Sequence, residues 1–126
     1  MKFLKNFYKP VIIAELGLAH DGSLGNCFRM IDQCKKSGAD VVKFQIHFAE
    51  EESTIDEKFR IKFSVEDKTR FDYWKRTSFS SSQWKKIFNY CKKKKIKFLA
   101  SIFSLKAFDL LYSYGVRCFK ISSGEV

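Results

Sequence analysis

GADVVK at residues 38–43 and GVRCFK at residues 115–120 share one layout. Each opens on a glycine, passes through a short β-prone stretch and ends on a lysine. A helical pattern precedes each glycine. Leu24, Cys27, Phe28, Ile31 and Cys34 recur at helical spacing before Gly38, and Ala107, Phe108, Leu111 and Tyr114 do so before Gly115. Glycine suits the residue that leaves a helix, because it adopts the left-handed conformation without a Cβ penalty. The chain therefore twice runs from helix to turn to strand, and each time sets a lysine near the strand's C-terminal end. In parallel α/β folds that end faces the ligand.

The neighbouring segments extend the pattern. Residues 11–16, VIIAEL, form an apolar run closed by a glutamate, as in a parallel strand buried on both faces. Residues 17–25 make a loop. The second strand spans 40–47, the third 96–102 (IKFLASI) and the fourth 117–122 (RCFKIS). Between the second and third strands, Trp84, Ile87, Phe88 and Cys91 mark a helix, and Ser80 with Gln83 fits a capping box at its start. Ser104 can cap the helix that Gly115 ends. The order β-α-β-α-β-α-β predicts a parallel sheet flanked by helices. Residues 48–79 show no convincing period. A connection this long between the second strand and its helix is expected to be a lid or substrate loop on the ligand face. It carries Glu50, Glu51, Glu52, Asp56 and Glu57, and later Phe71, Tyr73 and Trp74.

Composition bounds the function classes. With 45% hydrophobic and 30% charged residues the chain is globular, not disordered, and its fourteen phenylalanines can fill a core. No apolar run approaches the roughly 20 residues of a membrane-spanning helix. The basic start leads into no signal-peptide pattern, so a cytoplasmic protein is expected. Cys27, Cys34 and Cys91 occupy apolar helical positions, and Cys118 forms no C-x-x-C pair, which reads as reduced core thiols. The net charge of +10 raises the question of nucleic acid, but Lys92 to Lys95 and Lys97 cluster at a helix end, where cations complement the dipole and face water. No nucleic-acid motif accompanies them.

The chemistry gathers at the strand ends. Glu15 closes the first strand. Lys43, Gln45 and His47 alternate onto one face of the second, Ser101 ends the third, and Lys120, Ser122, Ser123, Gly124 and Glu125 follow the fourth. Two ammonium groups with serine donors suit a small phosphorylated acid, and a glutamate beside them can transfer protons. His20 and His47 are the only histidines and cannot complete a metal site between them.

Four segments in order, IIAELGLAHDGSL (12–24), GADVVKFQIH (38–47), FLASIFS (98–104) and FKISSGEV (119–126), resemble the sialic acid synthase family. The family pattern runs IAEIG-x-NH-x-G, GAD-x-VKFQ, a F-x-STPF-like strand and a KI-x-SGE/D turn. The resemblance implies the first half of a TIM (β/α)₈ barrel over residues 1–126, with the family's second half and small antifreeze-like domain expected to be absent from this chain. It implies condensation of phosphoenolpyruvate with an N-acylated amino sugar to a nonulosonic acid, with release of phosphate. Lys43, Ser101, Lys120 and Ser123 match phosphoenolpyruvate contacts, and Glu15 matches the acidic group near the reacting carbons. Glu125 matches a sugar-side contact, with Gln45 and His20 at further motif positions. The resemblance also implies a homodimer and a divalent metal, Mn²⁺ or Mg²⁺, whose histidine ligands come from later strands. No metal ligand, no nucleic acid and no membrane is expected for this chain. Two departures stand out: Ala19 replaces the asparagine before the histidine, and Ser101-Ile102 replaces threonine-proline.

Three other readings remain at this point. One is a Schiff-base aldolase using Lys43 or Lys120. Another is a non-catalytic half-barrel fragment; under the synthase resemblance itself, the chain alone is expected to be an incomplete, inactive enzyme. The third is a basic nucleic-acid binder, which salt would release steeply.

Overall fold

The computed structural model describes residues 10–125, with the side chain of Glu125 outside that description. Four strands form one parallel sheet in chain order: β1 (Ile13–Gly17), β2 (Val41–Ile46), β3 (Lys97–Ile102) and β4 (Lys120–Ile121). Five helices connect them: α1 (Leu24–Lys36), α2 (Ala49–Glu52), α3 (Arg70–Thr77), α4 (Ser81–Lys93) and α5 (Leu105–Ser113). A 3₁₀ turn, Ser123–Glu125, follows β4.

Local chemistry sets the helix ends. Ser23, Ser80 and Ser104 each accept a hydrogen bond from the third backbone N–H of the helix they open. At Ser80 the box is complete, because the Gln83 side chain returns a bond to the Ser80 N–H. Gly38 and Gly115 leave α1 and α5 at φ +86° and +89°, the left-handed exit that glycine permits.

The pleat sorts the strand residues. Val42, Phe44, Ile46, Phe98 and Ala100 face the helices and pack with Cys27, Ile31, Trp84, Ile87, Cys91 and Leu111 in one core. The alternate positions, Glu15, Lys43, Gln45, Leu99, Ser101 and Lys120, pair across the sheet on its other face. All four cysteines are free. Burial pushes the Cys27 and Cys91 thiols up to about 12, so both are inert core residues, as their helical positions predict.

The structure corrects two boundaries. Residues 48–79 contain α2 and α3. Their periodicity is hidden because neither is held by a regular apolar stripe. Thr77 is the buried residue of α3, whose aromatic rings pack sideways on other rings, while α2 is one turn closed by the side chain of Glu52. The fourth strand is two residues long. Arg117 lies over the Tyr112 ring and donates to the Tyr112 and Val116 carbonyls, and pairing with β3 begins only at Lys120.

The lysine cluster sits at the end of the sheet opposite the strand C-termini. There Lys94 pairs with Asp32, and Lys35 donates to the Lys95 carbonyl. Among the described residues no helix is long and apolar enough to cross a membrane.

Candidate active site at the strand C-termini

The site begins with an irregularity in β1. Glu15 pairs with Lys43 and Gly17 with Phe44, so Leu16 is an extra residue bulged out of the β1–β2 ladder and turned into the core. The bulge needs Gly17, at φ +50°. It lets the Glu15 carboxylate fold back to accept from the Gly17 N–H at 3.0 Å, while its other oxygen forms an ion pair with Lys43. Lys43 Nζ also donates to Ser101 Oγ at 3.3 Å. Lys43 is largely shielded, at 14% side-chain exposure against 52% for Glu15. One ammonium thus links the ends of β1, β2 and β3.

Register completes the group. Ser101 stands opposite Gln45 on one side and Lys120 on the other. The Gln45 amide lies 3.7 Å from where a Cβ on Gly17 would be. Lys120 and Ser123 are exposed beyond this group. Glu15, Lys43, Gln45, Ser101 and Lys120 therefore converge on one mouth, with Ser123 in the turn beside it. Glu125 lies in the same turn, and its side chain is outside the described residues.

His20 takes a different place. It is fully buried, stacked on Phe79 at 4.4 Å, with Trp84 edge-on at 6.3 Å. Its Nδ1 accepts from the Gly22 N–H at 3.2 Å, which leaves the proton on Nε2, where it has no hydrogen-bond partner among the described residues. Burial pulls its pKa down to about 4, against a smaller opposing pull from the Asp21 carboxylate. In this conformation His20 supports the loop after β1 from beneath, and a ligand could reach it only if that loop moved.

Two further groupings went unread in the sequence. His47 Nδ1 meets Glu52 Oε2 at 2.6 Å, and the imidazole stacks on Trp74 and Phe103 at 4.7 and 4.1 Å. Arg76 donates to the buried Asp67 through two nitrogens and to Asp21 at 2.7 Å, tying residues 64–76 to the loop after β1. The Asp67 carboxyl is held below its usual range by Arg76. Glu52 follows His47 by five residues, and its acidic run was visible; Arg76 and Asp21 are 55 apart, with no local signal. Above the mouth lies a cavity of about 810 Å³ walled by His47, Arg70, Tyr73, Trp74, Phe103 and Ser122, among others. A second, of about 410 Å³, reaches from His47 to Gln45. Both fall in the roughly 300–1,000 Å³ range of small-molecule sites.

A parallel sheet in chain order with helices packed on one face is the architecture of part of a (β/α)₈ barrel. The N-acetylneuraminic acid (sialic acid) synthetase of Leptospira borgpetersenii serovar Hardjo-bovis, solved in complex with citrate, has the same fold. It aligns with a TM-score of 0.75 and 32% identity, over 93% of this chain and 38% of that one. The matching part is the N-terminal part of the barrel. The N,N'-diacetyllegionaminic acid synthase of Campylobacter jejuni is 33% identical over 121 residues, which are 94% of this chain and 36% of that protein. Human N-acetylneuraminate-9-phosphate synthase is 32% identical over 90% of this chain and 32% of its own length. The sequence profile of the NeuB family matches residues 30–126, and the chain belongs to the NeuB family. It spans about a third of the length of the curated relatives it matches.

Proposed function

We propose that this chain forms the phosphoenolpyruvate-binding part of a nonulosonic acid synthase. The reaction joins phosphoenolpyruvate, an N-acylated amino sugar and water, and releases phosphate. The observation that carries the reading is the Lys43 junction: one shielded ammonium held between the Glu15 carboxylate and Ser101, with Lys120 at the next register position. A phosphate and a carboxylate on one small ligand require two cations and several donors close together. Lys43, Ser101, Lys120 and Ser123 supply these, and Glu15 stands where a proton must move as the ligand reacts. Gln45 and Glu125 take the sugar side, with His20 beneath the first loop. The names of the relatives support the product class.

The family resemblance implies a divalent metal, Mn²⁺ or Mg²⁺. The described residues do not fit one. No three His, Cys, Asp or Glu side chains among them gather around one point, and His20 is enclosed by rings. We place its ligands, like the dimer partner surface, outside residues 10–125, and the protein in the cytoplasm.

Calorimetry with phosphoenolpyruvate, using inorganic phosphate and pyruvate as competitors, tests the reading. Lys43→Met should weaken binding about tenfold or more, since a charge-assisted hydrogen bond contributes roughly 1.5–3 kcal/mol. Lys120→Met should do likewise. A chain that ignores phosphoenolpyruvate, or a Lys43→Met variant that binds it unchanged, would overturn the assignment.

A further inference from the structure

The His47 grouping is not used by the phosphoenolpyruvate reading, yet it borders it. His47 is 6% exposed, with Trp74 stacked at an interplanar angle of 8° and Phe103 at 18°. Its Nδ1 is committed to Glu52, and the second oxygen of that carboxylate accepts from the Phe48 N–H at 2.7 Å. Both oxygens of Glu52 are thus acceptors, so a neutral His47 must carry its proton on Nδ1 and leave a bare lone pair on Nε2. His47 lines both cavities, and its Nε2 is not among the enclosed side-chain atoms that lack a partner. Gln45 lines the smaller cavity and pairs with Ser101, the serine bonded to Lys43. The lone pair therefore opens beside the phosphoenolpyruvate group, into a space with aromatic walls and a few polar groups. Such a wall suits a small ligand fixed by a few polar contacts.

We propose that His47 determines acceptor binding: its Nε2 receives a hydrogen bond from a hydroxyl of the N-acylated amino sugar, and Glu52 is the positioning residue that fixes the tautomer. The inference rests on the synthase reading for the identity of the sugar. The tautomer does not, because it follows from Glu52 and Phe48 alone. A purely structural histidine would show the same Glu52 bond but would not respond to sugar.

Nitrogen-15 NMR of the imidazoles tests this on the intact chain, which has only two histidines. In mildly alkaline buffer His47 should appear as the Nδ1–H tautomer and His20 as the opposite one. N-acetylmannosamine, titrated with and without phosphoenolpyruvate, should move the His47 Nε2 resonance and leave His20 in place. In Glu52→Gln the amide must use its oxygen for the Phe48 N–H, so its nitrogen donates to His47 and the tautomer flips. His47→Asn keeps a group for Glu52 and removes Nε2. Both variants should bind the sugar about tenfold more weakly, as loss of one hydrogen bond predicts, with phosphoenolpyruvate binding unchanged. An Nε2–H tautomer in the parent, a His47 resonance that the sugar never moves, or undiminished sugar binding by His47→Asn would overturn the proposal. Sugar binding at His47 in a chain that does not bind phosphoenolpyruvate would instead refute only the synthase reading.

Discussion

His20 makes the chain acid-labile by an amount that can be calculated. The buried imidazole ionises at about 4, against 6.5 when solvated. Below 6.5 the unfolded chain binds a proton that the folded chain refuses, so folding stability falls with pH until about 4, and the loss then levels off. At 1.36 kcal/mol per pH unit the gap corresponds to about 3 kcal/mol, a large part of the 5–15 kcal/mol typical of a domain. His20→Phe keeps a ring against Phe79 and removes the titrating nitrogens. Urea unfolding of parent and variant at pH about 7.5 and about 4 isolates the effect. The carboxyls of Asp32, Glu50 and Asp67, all held below their usual range by cations, titrate in both chains and cancel in the comparison. The parent should lose about 3 kcal/mol more than His20→Phe between the two pH values. If the two chains fall in parallel, His20 is not a buried neutral group and the account of the first loop is wrong.

Gly22→Ala should destabilise the fold by about 2 kcal/mol or more in urea unfolding, because a Cβ there would meet the Arg76 carbonyl oxygen at 2.5 Å on a backbone at φ +73°; an unchanged midpoint would show that the loop is not pressed against α3. Glu15→Gln should bind phosphoenolpyruvate at least as tightly as the parent by calorimetry, since the carboxylate competes with the ligand for Lys43, and weaker binding would refute that competition. The isolated 126-residue chain should form dimers or larger species in sizing chromatography with light scattering, because β1 and β4 are the sheet's edges and Ile13 and Ile121 are 46% and 54% exposed on them; a clean monomer would refute it.

Whatever depends on neighbours along the chain is legible in the residues themselves. Ser23, Ser80 and Ser104 cap the helices they precede, Gly38 and Gly115 end the helices they follow, and the alternation through Val42, Lys43, Phe44 and Gln45 assigns each residue to a sheet face. These are effects of one helical turn or one pleat, so periodicity and residue type express them. Order along the chain also gave the parallel sheet and, with it, the strand ends where Glu15, Lys43, Ser101 and Lys120 meet. The rest follows from how the elements pack. The bulge at Leu16 turns Glu15 onto Lys43, His20 points into the core where the motif suggested a ligand, Glu52 selects a tautomer for His47, and Arg76 joins two loops. Glu15, His47 and Arg76 find their partners through space, and His20 is set by the rings that enclose it. These placements arise from packing, where an unpaired polar group is costly, and no local pattern of residues encodes it.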